Sequence, residues 1–228
     1  MSAKTKRVRA GLWELVAVSS VGGALFSYRY LAPHPPLVGH DIAANLFKRP
    51  WLAIHASLAV TALLVGPFQF VSRLRARSPR THRILGRVYV GSCLGAAPAA
   101  LVLAAGTDAG PIAQAAFSTL AVIWFVFTLK AVRLAMAGRI AEHRRWMVRS
   151  FALTFAAVTL RLLLPFPPLL LHASFLDGYR AISWISWTSN LLIAEVWLNR
   201  TSLLGLIRGW GKSAADGEAE RVQGSLAS

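Results

Sequence analysis

The sequence predicts an all-α fold, a polytopic membrane bundle of six transmembrane helices with both termini on the cytoplasmic side. Three observations predict it. Of 228 residues, 55% are hydrophobic and only 15% are charged, yet the net charge is +16, whereas a soluble protein is about 25% charged. The apolar residues gather in long runs, and the basic residues fall between alternate runs. A chain this oily is not a disordered one, which needs low hydrophobicity. With Cys93 as its only cysteine it also cannot build a disulfide framework.

A bilayer core of ~30 Å takes ~20 apolar residues in helical form. Six stretches meet that need: Leu12–Ala32, Trp51–Val71, Val88–Gly106, Gly110–Leu129, Trp146–Leu164 and Ala181–Asn199. Helices satisfy their own backbone groups in lipid, and barrel strands would alternate apolar with polar residues, which these runs do not. Pro50 suits the first turn of the second span. Gly110-Pro111 makes a tight return between the third and fourth. Pro165, Pro167 and Pro168 end the fifth by removing helical donors. The chain divides into a basic tail at 1–10, a membrane domain at 11–203 and a tail at 204–228 whose small, polar composition reads as disordered.

Orientation follows from the basic residues. Twenty of the 25 lie in the N-terminal tail, the 72–87 loop, the 130–149 loop and the C-terminal tail, and four lie on the opposite side. That asymmetry makes both termini cytoplasmic. Lys4, Lys6, Arg7 and Arg9 before an apolar run resemble a secretory signal. However, Arg29 interrupts the end of the run and no A-x-A site follows, so the first span is expected to stay uncleaved. The run from Arg73 to Arg87 reads as a loop beside anionic lipid. No aromatic stacking or groove-reading pattern accompanies it, so nucleic acid is not an expected partner. No Walker loop, G-x-S-x-G or H-E-x-x-H is present, which removes the usual kinase, hydrolase and zinc-protease readings.

The six histidines are arranged by level. His82 and His143 start the third and fifth spans at the cytoplasmic end. His55 lies one turn inside the second span at the outer end, and His34, His40 and His172 fall in the outer loops. Two haems stacked across a bilayer need such a pair of imidazoles at each level. His55 shares a face with Ala59, Ala62 and Gly66, and Gly86 follows His82 by four residues. These small side chains leave room for a macrocycle, or equally let helices pack closely. Gln69, fourteen residues after His55, is expected on roughly the same face.

Arg161 sits inside the fifth span, eighteen residues and five turns beyond His143 on the same face. A charge at that depth needs a partner. The candidates are Glu195, a haem propionate, or an anionic or quinone-like ligand, with a structural Arg–Glu or Arg–carbonyl contact locking two helices as the alternative of equal weight. Trp13, Trp51, Trp146 and Trp210 stand near span ends as belt anchors.

The residues His55, Gly66-Pro67-Phe68-Gln69-Phe70, His82-Arg83-Ile84-Leu85-Gly86-Arg87-Val88-Tyr89, His143-Arg144-Arg145-Trp146-Met147-Val148-Arg149-Ser150 and Arg161 resemble domain-of-unknown-function family 2306, a set of multi-pass membrane proteins. The resemblance covers Trp51 to Asn199 and implies membrane location without an activity. The spacing of His55, Gln69, Phe70, Pro79, His82 and Gly86 is also similar to that of transmembrane di-haem b-type cytochromes. That resemblance implies haem b, a membrane oxidoreductase and an external electron donor and acceptor. The expected cofactor residues are His82 and His143 as the inner pair, His55 with His172 or His40 at the outer level, and Arg161. The expected metal ligands are His55, His82 and His143. A transporter or binder of a small anionic or lipid-like molecule, with Arg161 and Glu195 in its site, is the rival reading, and an accessory protein without a ligand is the third. Lipid is the expected partner, and self-association stays open.

Overall fold

Among the described residues there are eight stretches of helix: α1 (Ala3–Ser27), α2 (Lys48–Val65), a 3-10 turn (Pro67–Phe70), α3 (Ser72–Arg77), α4 (Pro79–Ala105), α5 (Pro111–Met136), α6 (Ile140–Leu163) and α7 (Phe175–Leu226). The structure, a computed structural model, describes the backbone of residues 3–28, 48–167 and 174–226, and the side chains of 11–28, 50–167, 174–200 and 202. Among the described residues there is no strand.

Among the described residues, four stretches are long and apolar enough to cross a membrane: Pro50–Phe70, Pro79–Ala105, Pro111–Met136 and Ile140–Leu163. They match the second to fifth expected spans. The first expected span contains the shorter apolar helix Gly11–Ser27, and its last residues lie outside the described ones. The sixth, Ala181–Asn199, lies within α7, where Asn190, Glu195 and Asn199 lower the apolarity. The backbone of α7 stays helical through most of the 204–228 stretch that composition reads as a disordered tail. Ala214, Ala215, Glu218, Ala219 and Glu220 are good helix formers there.

The helix boundaries differ from the apolar windows in an instructive way. α4 begins at Pro79 and not Val88, α6 begins at Ile140 and not Trp146, and α5 runs on to Met136. Apolarity marks where a helix enters lipid, whereas Arg and Lys are good helix formers that extend it into the basic loops. His82 and His143 therefore lie in the first turns of their helices. α2 breaks at Gly66 into the 3-10 turn. Pro67 has no N–H to continue the ladder and its ring would crowd the carbonyl four residues back.

Neighbours in sequence are neighbours in space. α2 packs on α4, α4 on α5 and α5 on α6, and α1 closes the group by meeting both α2 and α6. The connections α4–α5 and α5–α6 are too short for anything but antiparallel neighbours. Buried Ala62, Ala96, Ala97, Ala131 and Ala156 form much of the core, since small side chains let membrane helices approach.

Polar groups fasten the middle of the bundle. The Trp124 indole donates to Thr154 Oγ1 (3.0 Å), which lies 2.8 Å from the Tyr89 hydroxyl. Tyr89 is 3.0 Å from Ser150 Oγ, and Ser150 is 2.7 Å from Thr128 Oγ1, which reaches the Trp124 carbonyl at 2.8 Å. Thr154 also donates to the Ser150 carbonyl at 3.0 Å, so these contacts form a closed network that leaves and returns to Trp124 and gives every hydroxyl a partner. Such chains polarise one another in a low dielectric. All five side chains are buried, and together they join α4, α5 and α6.

The turn between α4 and α5 is fixed from a distance in sequence. Gly110 has φ +91°, a conformation that costs other residues. Arg180 donates its Nε–H to the Ala109 carbonyl (2.9 Å) and pairs with Asp177 (3.0 Å). A Cβ on Gly110 would lie 3.3 Å from the Arg180 guanidinium. Gly110→Ala is thus expected to destabilise the protein by about 1–2 kcal/mol through backbone strain, measured as a drop in thermal midpoint. Ser174 starts α7 by accepting from the Asp177 amide (3.1 Å) while its hydroxyl donates to the Asp177 carboxylate (2.7 Å), a reciprocal cap. The Ser174 hydroxyl, with Arg180 beside it, holds the Asp177 carboxyl below the usual carboxylate range.

Asn190 ties α7 to α6 by donating to the Ala152 carbonyl (3.2 Å) and accepting from Thr159 (3.0 Å). The chain forms two compact units, Met1–Leu191 and Leu192–Ser228. Within the second, Asn199 donates to the Glu195 carbonyl and carboxylate at 2.9 and 3.1 Å, and Arg200 stacks on Trp197.

Candidate functional site

α4 serves as a ruler for the site. His82, Tyr89 and Ala96 are spaced by seven residues, so they share one face at rises of about 10 and 21 Å from the first to the last. Each meets another helix there. His82 is close enough to His143 of α6 for their charges to interact. Tyr89 joins the buried ring. The carbonyl of Ala96 receives His55 of α2 at 3.0 Å.

Two of the three histidines are held alike. His55 Nδ1 lies 3.0 Å from the Ala96 carbonyl and His143 Nδ1 lies 2.8 Å from the Ala131 carbonyl. A carbonyl oxygen can only accept, so each Nδ1 carries a proton, and in the neutral ring that is the tautomer with its lone pair on Nε2. This tautomer, with the ring steered by a backbone acceptor, is the one in which imidazole ligates metal. His82 differs, because its Nδ1 is buried without any hydrogen-bond partner. Arg75, His143 and Arg144 are the charged groups acting on it.

The structure thus brings His82 and His143 to one end of the bundle and places His55 near the other. Arg161 joins His55: it is within electrostatic reach of that imidazole and donates Nη1–H to the Ala157 carbonyl of its own helix at 2.6 Å. A histidine neighbour for Arg161 was not expected from spacing. Glu195, one of its candidate partners, belongs to the second unit. His34, His40 and His172 lie outside the described residues. Among the described residues no group of three or more His, Cys, Asp or Glu gathers in the manner of a metal cluster.

The grooves expected beside the histidines are occupied by packing. A Cβ on Gly66 would come 2.6 Å from the Phe151 ring, and one on Gly86 would come 3.1 Å from Gln69 Oε1. These glycines therefore admit neighbouring side chains and not a macrocycle. The donor chemistry of the imidazoles fits haem iron, but Gly66 and Gly86 do not form its cradle.

Three features escaped the sequence reading. Gln69 is 7% exposed and its Nε2 has no partner. The Tyr89–Ser150 contact joins positions seven residues beyond His82 and His143, a spacing that could have revealed it. Trp13 packs against Phe70 and Phe151, with ring centroids 5.4 and 6.5 Å away, where a belt position was expected. Trp146 carries two cations near its ring, Lys130 at 4.0 Å and Arg149 at 4.7 Å, within the range of cation–π attraction.

Comparison with known families places this arrangement. The family model described as a predicted membrane protein, DUF2306, matches residues 52–198. The chain belongs to this family. The DUF2306 match includes His55, Gln69, His82, His143 and Arg161, so the whole polar stripe falls inside the family's domain. No curated protein and no solved structure matches the chain, and the likeness to di-haem cytochromes rests on the residues alone.

Proposed function

We propose that this DUF2306 protein binds haem b in a bacterial inner membrane and passes electrons within or across it. His82 and His143 form the ligand pair at the cytoplasmic end, and His55 ligates at the outer end with His172 or His40. The carrying observation is the hydrogen bond from Nδ1–H to a backbone carbonyl at both His55 and His143. It fixes two imidazoles in the ligating tautomer on rigid helices, at levels about 21 Å apart by the rise of α4. Haem bound there supplies reversible one-electron chemistry. The chain's own contribution is to hold the rings, exclude water with an apolar core, and set the local field through Arg75 and Arg144 at one end and Arg161 at the other. Electron donor and acceptor are separate molecules. The test is a pyridine haemochrome assay on the purified protein, where one or two haems b per chain are expected and a value near zero would defeat the reading.

The same proposal includes six spans with both termini cytoplasmic, supported by the segregation of basic residues. Alkaline phosphatase fused after Gly209 should be inactive, and fused in the 34–48 segment it should be active. The opposite pattern would reverse the side assignment.

A further inference from the structure

Two buried nitrogens at the basic end of the bundle have nothing to bond. Gln69 is 7% exposed with Nε2 unpartnered, and His82 Nδ1 is buried and unpartnered as well. They are close in the fold, because Gln69 lies against Gly86, which is one turn along α4 from His82. A buried donor without an acceptor is costly, and native structures avoid it unless something fills the gap. The contrast among the histidines sharpens this, since His55 and His143 each have a carbonyl for Nδ1–H and His82 has none.

The charges around the gap define what would fill it. Arg75, His143 and Arg144 all act on His82. Arg75 is held over the 3-10 turn by donating to the Gln69 backbone carbonyl (3.3 Å). Glu142, the acidic side chain in the first turn of α6, is taken up by Arg139 at 2.6 Å. We propose that the Gln69–His82 corner binds an oxyanion, a carboxylate or phosphate oxygen accepting from Gln69 Nε2–H and His82 Nδ1–H within the field of Arg75 and Arg144. A single acceptor between two donors and two guanidinium groups satisfies both orphaned atoms, and a negative one is favoured by the charge-assisted bonds it makes. This site uses Nδ1 of His82 and leaves Nε2 to a metal, so it stands whether or not haem is bound. The oxygen could come from a carboxylate of a bound haem or from a free anion in the aqueous phase.

The experiment titrates inorganic phosphate into the purified full-length protein at constant ionic strength, following heat and thermal midpoint, for wild type, Gln69→Leu and Gln69→Glu. For a free anion, wild type shows saturable binding, Gln69→Leu weakens it at least tenfold, and Gln69→Glu abolishes it by supplying a carboxylate of its own. For a haem carboxylate, phosphate does not bind the haem-loaded protein, but Gln69→Leu shifts the haem midpoint potential, and protein stripped of haem then takes up phosphate. Should Gln69→Leu fail to fold, Arg144→Gln at an exposed position is expected to weaken phosphate several-fold. Equal phosphate behaviour in all variants, together with an unchanged haem potential, would overturn the proposal and leave water as the occupant. A protein without haem that binds phosphate in this pattern would refute the haem reading and keep the oxyanion site.

Discussion

Trp124→Ala is expected to destabilise the protein by about 3–5 kcal/mol, the range for removing a large buried aromatic. The indole is 5% exposed at the centre of the bundle, among residues of α4, α5 and α6, and none of the buried alanines around it can expand to fill the space. Its N–H also starts the hydroxyl ring through Thr154. The two contributions separate. Trp124→Phe keeps most of the volume and loses the donor, and hydrogen bonds between membrane helices average about 0.6 kcal/mol. Trp124→Phe should therefore cost about 1 kcal/mol, far less than Trp124→Ala. Unfolding of the detergent-solubilised protein by a denaturing detergent measures both. Equal losses would mean that the ring, and not packing, dominates the centre.

His82→Ala and His143→Ala are each expected to remove the same haem entirely while the protein still inserts. His55→Ala should spare that haem and remove the other. Haem held by both imidazoles would lose its low-spin state when either is removed, so the low-spin component of that level should disappear in each variant. The inner pair is the more exacting half of the claim, because His82 and His143 start different helices and meet only through the bundle's fold. If the two variants removed different components, or if neither changed the spectrum, the pairing would be wrong. His143→Ala should also cost stability through the lost bond to the Ala131 carbonyl, by about 1 kcal/mol, in membranes with or without haem.

What was legible beforehand divides by the kind of physics involved. The second to fifth spans could be read directly, because a bilayer imposes a length and an apolarity that composition displays. Helix ends could not, since Arg83, Arg87, Arg144 and Arg145 are helix formers beyond the lipid, and this moved His82 and His143 into their helices. The fates of Gly66 and Gly86 were hidden for another reason. A glycine shows that something comes close, but only the fold shows that Phe151 and Gln69 are what come. Phase arithmetic could have found Tyr89 after His82 and Ser150 after His143, because those helices are unbroken. The neighbour of Arg161 was missed because spacing relates residues on one helix, and His55 lies on another.

The most direct measurement of the central claim is low-temperature electron paramagnetic resonance of the oxidised, purified protein, with His82→Ala and His143→Ala alongside. The account predicts a low-spin ferric signal of haem with two nitrogen axial ligands, one component of which disappears in both variants. A protein with no ferric haem signal, or one whose signals persist unchanged in both variants, would contradict it.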